Sequence, residues 1–333
     1  MTVHGIAYVE FHCEDAHKYA ARLRDDYGFV IGEPPAPVRP GVTRLTARQG
    51  RIVLVLSSAS TLDDPVAAFV RRHGDGAAVL AMLCEDEQDA LAQARAAVAG
   101  GATALDATTV AGFGDLALRW TWPQDPLLTA EGPAAEALLE EIDHLAVCVP
   151  AGELGPAVAF SQRALGFSMI FSEYLEIGAQ AMNSQVVQSD CGGVTLTLLE
   201  PDTTREPGQI DRFLDAHGGA GVQHLAFRTE DVAAAVRTLA ARGVAFLTTP
   251  GAYYDALPER LGDTQIPAEV LRELNLLVDQ DHGGQLFQIF TRSTHPRNTY
   301  FQELIERRGA GTFGSANIKA LYEAVERERA AGA

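Results

Sequence analysis

The sequence lacks the features of a secreted, membrane-bound or nucleic-acid-binding protein. No apolar run approaches the ~20 residues that a membrane-spanning helix needs. The amino terminus, MTVHGIAYVEFHCED, contains neither a basic segment nor a long apolar one. Positive charge is also scarce: the formal net charge is −18, and such an acidic chain repels phosphate backbones and anionic lipid. We therefore expect a cytoplasmic protein that binds neither nucleic acid nor membranes.

Cysteine is sparse as well. The four cysteines are Cys13, Cys84, Cys148 and Cys191, and none of them forms a C-x-x-C pair. Their spacing therefore predicts neither a zinc knuckle nor a disulfide framework. With 333 residues, of which 47% are hydrophobic and 21% charged, the chain can bury a core without covalent or metal support. Reduced thiols, as in a cytoplasmic protein, are the expected state.

One structural unit occurs more than once along the chain. Residues 5–29 and 141–167 each contain a short apolar strand, a turn, an amphipathic helix and a Gly-Phe exit. Residues 73–104 and 217–246 share His-Gly, a strand, an acidic turn and an Ala-rich helix. Short strands follow each helix, so the unit is a βαβββ module that occurs four times, twice in each half. The pattern predicts an α+β fold with two pseudo-repeated halves.

Prolines mark the boundary between the two halves. Three of them lie between residues 122 and 133, before the next strand begins near residue 142. We expect an amino-terminal scaffold domain at residues 1–130 and a carboxyl-terminal catalytic domain at residues 140–333. The tail is predicted to end in a lid helix that packs back through Ile318, Leu321, Tyr322 and Val325.

Two histidines occupy matching positions in the carboxyl-terminal half. His144 lies within the strand IDHLAVCV, and His224 lies within the strand GVQHLAF. The first half carries Tyr8 and Val79 at the aligned positions, so one half has the ligands and the other serves as scaffold. A single histidine in an apolar strand is more often a hydrogen-bonded core residue than a ligand. Two at equivalent places in a repeat favour a metal site.

A carboxylate completes the candidate metal site. Glu303 lies two residues after Phe301 in YFQELIERRG, so the two side chains share one strand face. Gln288, in the strand LFQIFT, could line the same cavity. Two imidazoles and one carboxylate leave three adjacent coordination positions open, which is the facial triad of non-haem Fe(II) oxygenases. Mn²⁺, Co²⁺ or Ni²⁺ could occupy the same ligands.

Longer motifs resemble a known family. The paired modules with this triad are similar to the vicinal-oxygen-chelate superfamily. Within it, GAGVQHLAF, DHGGQLFQIFT, YFQELIERRG and GTFGSANIKAL resemble the 4-hydroxyphenylpyruvate dioxygenase and 4-hydroxymandelate synthase family. The resemblance spans nearly the whole chain. It implies two curved open β-barrels flanked by helices, Fe(II) as the metal, and O₂ with 4-hydroxyphenylpyruvate as small-molecule substrates; it is compatible with a homodimer.

The same resemblance implies a substrate pocket around the metal. Glutamine side chains could hold a phenol or a keto acid by hydrogen bonds, and aromatic faces could clamp the substrate ring. The residues to which the resemblance assigns these roles are Ser184, Gln209, Gln223, Gln288, Phe290, Phe301, Phe313 and Asn317.

Three positions depart from the family members that form homogentisate. Those members typically have a Pro-x-Asn-Glu-Pro strand, where this chain has Thr197 and Leu199 in place of the first Pro and the Asn. They also have a phenylalanine where this chain has Ile318. The departures, with GAQAMNS and STHPR, resemble the synthases. Loss of a polar contact and of an aromatic wall would let the ring tilt and present its benzylic carbon. We therefore expect 4-hydroxymandelate and CO₂ as products, in antibiotic biosynthesis.

Other functions stay open at this point. One is the homogentisate-forming dioxygenase of tyrosine breakdown, against which the three departures argue. Another is a non-catalytic protein of the same fold that binds a small ligand without a metal. The third is a ring-cleaving extradiol dioxygenase, which would act on a catechol and ignore a keto acid.

Overall fold

Two mixed β-sheets divide the chain. The computed structural model describes residues 3–34, 38–128, 137–314 and 316–319. A seven-stranded sheet is built from residues before 122, and an eight-stranded sheet from residues after 140. The expected α+β fold with two similar halves is confirmed. Among the described residues, no helix combines the length and the apolar character that crossing a membrane requires.

The amino-terminal half contains two modules joined at the centre of its sheet. Its helices are α1 Ala16–Arg22, α2 Pro65–His73 and α3 Glu87–Ala99. Its strands are β1 Gly5–His12, β2 Val30–Gly32, β3 Val42–Gln49, β4 Ile52–Ala59, β5 Gly76–Leu83, β6 Thr109–Ala111 and β7 Ala117–Thr121. The strand order is β2-β3-β4-β1-β5-β7-β6, with β1 and β5 antiparallel.

The carboxyl-terminal half repeats this plan with more helices. Its helices are α4 Leu154–Phe160, α5 Gln209–His217, α6 Val232–Ala241, α7 Gly251–Asp255, α8 Leu257–Leu261 and α9 Ala268–Leu274. Its strands are β8 Glu141–Cys148, β9 Ser168–Ile177, β10 Gln180–Gln188, β11 Thr195–Pro201, β12 Gly221–Arg228, β13 Leu277–Gln280, β14 Gln285–Phe290 and β15 Phe301–Arg308. The order is β13-β14-β15-β12-β8-β11-β10-β9, with β8 and β12 antiparallel at the centre.

The Gly-Phe exit of each first module has a local structural cause. Helices α1 and α4 both continue into one π-helical turn, at Leu23–Tyr27 and Ser161–Leu165. Each turn ends at a glycine with a left-handed backbone, φ 79° at Gly28 and φ 69° at Gly166. Glycine adopts this conformation without the steric cost that a side chain would bring. The chain then reverses and buries the following phenylalanine in the core.

The two halves share one hydrophobic core. The main cluster of buried apolar side chains contains residues from both sheets. The ring centroids of Phe29 and Phe227 lie 6.3 Å apart across the junction. Nearby, the Tyr27 hydroxyl donates a hydrogen bond of 2.9 Å to Gln302 Oε1. The segment after α1 in the amino-terminal half therefore packs against β12 and against β15, which carries Glu303. The exact domain boundaries stay a prediction.

The two His-Gly turns meet where the halves join. The imidazoles of His73 and His217 stack with centroids 4.2 Å apart, and Phe213 stacks on the other side of His217. His73 Nδ1 donates to the carbonyl oxygen of His217 at 2.7 Å. Gly221 must lack a side chain, because a Cβ there would lie 2.2 Å from the His217 ring. These contacts give the repeated His-Gly motif a structural role.

We predict that this stack makes stability depend on acidity. Burial, and then the neighbouring His73, lower the pKa of His217 from 6.5 to about 4. As the pH falls, His217 therefore becomes protonated at a higher pH in the unfolded chain than in the folded protein. The contribution of His217 to the free energy of unfolding is constant above pH 6.5 and falls by about 2 to 3 kcal/mol as the pH approaches 4. Urea unfolding at pH 7.5 and 4.5 should show this loss. It should shrink in His217→Phe but not in His4→Gln, a change at an exposed histidine. An equal loss in His217→Phe would contradict the assignment.

Candidate metal centre

Three adjacent central strands place the candidate ligands on one face of the sheet. Strand β12 lies between β8 and β15. Ala226 on β12 is paired with His144 on one side and with Glu303 on the other. Paired residues share a sheet face, and His224 lies two residues from Ala226, so all three candidate ligands point into the same barrel. The small side chain of Ala226 leaves the space between them open.

The ligand atoms of this triad converge. Glu303 Oε2 lies 3.5 Å from His144 Nε2 and 3.4 Å from His224 Nε2. All three side chains are buried. A metal ion about 2.1 Å from each ligand atom, with angles near 90° between them, sets ligand atoms about 3 Å apart. The donor set and its spacing therefore fit a metal ion with three protein ligands.

Each imidazole is held through its other nitrogen. His144 Nδ1 lies 2.9 Å from Asp143 Oδ1, and His224 Nδ1 lies 3.3 Å from Gln223 Oε1. Both oxygens can accept a hydrogen bond from an Nδ1–H group, which leaves the Nε2 lone pairs free for a metal. The register of β12 shifts between Val222 and His224, on either side of Gln223. Gln223 thus contacts a candidate ligand.

The charges at the triad favour a cation. Burial raises the pKa of Glu303, but hydrogen bonds from His144 and His224 outweigh it, and the pKa falls below its usual range. Burial lowers the pKa of His144, but the hydrogen bonds to Asp143 and Glu303 outweigh this and raise it to about 9. The pKa of His224 is lowered, mainly by burial. Without a metal, a proton on His144 thus balances the charge of the neighbouring carboxylates Asp143 and Glu303. A bound cation would take over this role.

Arg307 connects the triad to the loop that follows β15. Its guanidinium donates to both carboxylate oxygens of Asp143, at 2.7 and 2.9 Å. It also donates to the carbonyl oxygens of Ala310 and Thr312, at 3.2 and 2.6 Å. The same group lies 5.0 Å from the centroid of the Phe313 ring. One partly buried cation therefore orients the carboxylate behind His144 and holds the loop at residues 310–312.

Phenylalanine rings surround the two imidazoles. Phe301 stacks on His224 with centroids 4.9 Å apart, and Phe290 lies 6.1 Å from the same imidazole. Phe313 lies edge-on to His144 at 5.8 Å and also contacts Phe171 on the edge strand β9 at 6.0 Å. The sheet therefore curls, since one loop residue touches both its centre and its edge. The structure brings the three predicted phenylalanines together around the triad.

A second wall of the barrel is formed by β10 and β11. Leu199 is paired with Ser184 on one side and Cys148 on the other, so it shares the face of His144. Thr197, two residues earlier, points the same way. The three predicted pocket residues on these strands, Ser184, Thr197 and Leu199, are all buried. Ile318 packs against the apolar cluster that contains Leu199. The three positions that depart from the homogentisate-forming pattern thus lie along one wall.

Asn317 anchors the segment that closes the barrel. It is fully buried, and its amide nitrogen donates to Gln288 Oε1 at 3.3 Å. Its oxygen accepts hydrogen bonds from the Tyr253 hydroxyl at 2.7 Å and from Arg260 at 3.2 Å. Its polar groups are therefore engaged by the protein. The remainder of the predicted lid helix, with Leu321, Tyr322 and Val325, lies outside the described residues.

Sequence reasoning and structure differ at several residues. Gln209 is the first residue of α5 and is exposed, whereas the next residue, Ile210, is buried against the barrel lining. The structure does not enclose Gln209 in the site, and its role stays a prediction. Sequence reasoning missed Asp143 and Arg307. Asp143 could have been found from the sequence, because it directly precedes the candidate ligand His144. Arg307 could not, because its partner Asp143 lies 164 residues away in sequence.

The chain is similar to known proteins over nearly its whole length. Residues 141–259 match the profile of the Glyoxalase/Bleomycin resistance protein/Dioxygenase superfamily. The 4-hydroxyphenylpyruvate dioxygenase of Sus scrofa is 32% identical over 315 residues, covering 85% of this chain and 80% of the relative. The enzyme of the same name from Caenorhabditis elegans is 31% identical over 337 residues, with coverages of 86% and 82%.

A solved structure gives a similar result. A triply substituted variant of 4-hydroxymandelate synthase from Streptomyces coelicolor has a TM-score of 0.88 and 43% identity, covering 99% of this chain and all of that one. The chain belongs to the 4-hydroxyphenylpyruvate dioxygenase and 4-hydroxymandelate synthase family. It is a dioxygenase-family enzyme, as the sequence motifs implied, and its His-His-Glu group could hold the metal.

We predict that Asp143 contributes to metal affinity. In Asp143→Asn, the imidazole of His144 loses its charged partner and Arg307 is left without its carboxylate. Removing such an outer partner weakens metal binding about 10- to 100-fold in comparable sites. Anaerobic Fe(II) titration against a chelator measures the change. Glu141→Gln is the matched control on the same strand, because Glu141 pairs with Arg228. Equal affinity in Asp143→Asn and the wild type would show that this carboxylate does not support the ligand.

We predict that Gly314 is required for closure of the barrel. Gly314 has φ 74°, and a Cβ there would lie 1.7 Å from Gln288 Oε1. In Gly314→Ala, this clash should displace the loop and break the Asn317 hydrogen bonds, so limited proteolysis should cleave the tail faster. Gly311→Ala is the control, because its Cβ would meet only Asp281 Oδ2, at 3.7 Å. Equal cleavage rates for the two variants would contradict this account.

Proposed function

We propose that the enzyme converts 4-hydroxyphenylpyruvate and O₂ into 4-hydroxymandelate and CO₂, with Fe(II) held by His144, His224 and Glu303. The observation that carries this proposal is a buried facial triad beside an apolar wall that contains Leu199 and Ile318. The similarity to a 4-hydroxymandelate synthase over 99% of the chain supports it. Cytoplasmic location, a role in antibiotic biosynthesis and a homodimer stay predictions.

The reaction balances without any other co-substrate. The carboxyl carbon of the keto acid leaves as CO₂, one oxygen atom enters the new carboxylate, and the other becomes the benzylic hydroxyl. Fe(II), when bound, supplies O₂ activation coupled to decarboxylation and the oxidation of the C–H bond. His144, His224 and Glu303 would hold the metal from one side, and the opposite side would be left to the keto acid and O₂. Phe290, Phe301 and Phe313 keep water away from that side.

The wall beside the triad is the part of the site that chooses the product. The benzylic carbon and the ring carbon next to it are neighbours in the substrate, so a small tilt of the ring decides which one faces the oxidant. Leu199 and Ile318 offer apolar contact and no polar anchor or aromatic face. We infer that they let the ring settle with its benzylic carbon toward the metal. Homogentisate formation is the second candidate, because the pig relative is named for the dioxygenase reaction.

The direct test is product identity after aerobic incubation of the Fe(II)-loaded enzyme with 4-hydroxyphenylpyruvate. The two candidate products are isomers, so chromatography against standards and proton NMR are needed. A single benzylic CH proton identifies 4-hydroxymandelate, and a CH₂ pair identifies homogentisate. Homogentisate would refute the interpretation of the wall while leaving the family intact. Turnover of a catechol instead would indicate an extradiol enzyme, and binding without O₂ uptake would indicate a non-catalytic protein.

We predict that the wall can be converted. The variant Thr197→Pro, Leu199→Asn and Ile318→Phe restores the pattern of the homogentisate-forming members. The homogentisate fraction of the product should rise from a trace to a major share, because the ring regains a polar contact and an aromatic face. Chromatography measures the ratio, and iron content per chain is the control for an intact triad. An unchanged ratio with full iron content would show that product choice lies elsewhere.

A further inference from the structure

Glu173 is a carboxylate on the inner face of the barrel, and it has no role in the reaction proposed above. It is paired with Ser184, which is paired with Leu199, which is paired with Cys148 on the strand of His144. Paired residues lie on the same sheet face. Glu173 therefore shares the face of His144, three strands away, on the edge strand β9.

The neighbours of Glu173 confirm this orientation. Phe171, two residues earlier, contacts Phe313 with ring centroids 6.0 Å apart. Leu175, two residues later, is buried in the apolar cluster with Leu199. Residues two apart on a strand point the same way. The carboxylate thus lies between an aromatic and an aliphatic residue of the barrel lining, on the wall away from the triad.

Glu173 is partly buried, and one of its two carboxylate oxygens lacks a hydrogen-bond partner in the described part of the chain. Its Oε2 atom is buried and has no hydrogen-bond partner among the described residues, and neither does Thr197 Oγ1 on the neighbouring part of the wall. Buried polar atoms are nearly always paired in native proteins, and leaving one unpaired is costly. Two such atoms on one inner wall point to a ligand that satisfies them.

The chemistry of the two ends of the barrel identifies the ligand group. A carboxylate only accepts hydrogen bonds, so its partner must be a donor. The keto acid end of the proposed substrate belongs at the triad. The phenol O–H is the polar group that remains, and it is a donor. Resting on the proposed function, we propose that Glu173 accepts a hydrogen bond from the phenol of 4-hydroxyphenylpyruvate and thereby makes the enzyme specific for a para-hydroxylated ring.

This proposal predicts discrimination against phenylpyruvate, the same keto acid without the hydroxyl. That analogue offers no donor to the buried Oε2 atom of Glu173, and a site built for a substrate hydroxyl rejects an analogue that leaves such an atom unpaired. Glu173→Met removes the acceptor at similar length, and Glu173→Gln keeps an acceptor without the charge. Glu176→Met is the matched control, because Glu176 lies on the same strand but is exposed and pairs with Arg205.

The experiment measures both kcat/KM and anaerobic calorimetric binding for the two keto acids with each Fe(II)-loaded protein. The preference for the hydroxylated substrate should fall about 10- to 100-fold in Glu173→Met, as expected for loss of a charged hydrogen bond. Glu173→Gln should lose less of it, and Glu176→Met should keep the wild-type ratio. If Glu173 had a purely structural role, its replacement would lower the binding and the kcat/KM of both keto acids equally. The preference for the hydroxylated substrate would then stay unchanged.

The outcomes separate this proposal from the function on which it rests. An unchanged ratio in Glu173→Met, while the wild type still turns over 4-hydroxyphenylpyruvate, overturns the role of Glu173 and leaves the reaction standing. A wild type that binds neither keto acid overturns both. A fall in the ratio with 4-hydroxymandelate as product supports both. The same fall with homogentisate as product supports Glu173 as the phenol acceptor and overturns only the assigned product.

Discussion

The burial of Glu303 is the constraint on which the rest of the site depends. A carboxylate with 2% exposure is stable only beside cationic or hydrogen-bonding partners, because removing an ion from water costs several kcal/mol. Two imidazoles supply those partners, and their outer nitrogens face Asp143 and Gln223. Asp143 in turn requires Arg307, which reaches the loop above the barrel. A cation at the centre satisfies this whole arrangement.

The repeat explains why only one half carries the site. In the amino-terminal sheet, Tyr8 and Val79 stand where His144 and His224 stand in the other. Arg119 is paired with Ala81, as Glu303 is paired with Ala226. Arg119 donates a hydrogen bond to the Tyr8 hydroxyl at 3.2 Å, so a cationic side chain fills the place of the carboxylate ligand. That half cannot assemble the same donor set, and its contribution is to pack against β15.

The repeat also explains what the sequence could reveal. Residues at equivalent places in two modules are predicted to lie at equivalent places in a sheet, so His144 and His224 could be recognised as candidate ligands. The alternation of side chains along a strand placed Glu303 on the same face as Phe301. Contacts that depend on how the sheet curls left no such pattern. Arg307 and Asp143 lie 164 residues apart in sequence, and the engagement of Asn317 by Tyr253 and Arg260 joins segments that no spacing rule connects. For Gln209 the sequence and the structure differ. The family resemblance assigned it to the substrate pocket, but at the start of α5 its side chain is exposed.

On the proposed function, the enzyme oxidises the benzylic carbon and leaves the ring intact. Substrate with all four ring hydrogens replaced by deuterium tests this directly, because ring deuterium does not exchange in neutral water. Benzylic hydroxylation keeps all four deuterium atoms, whereas formation of homogentisate replaces one of them. Mass spectrometry of the C8 product should show four deuterium atoms if the benzylic carbon is hydroxylated. A product with three would mean that the ring is attacked and would contradict the role assigned to the Leu199 and Ile318 wall.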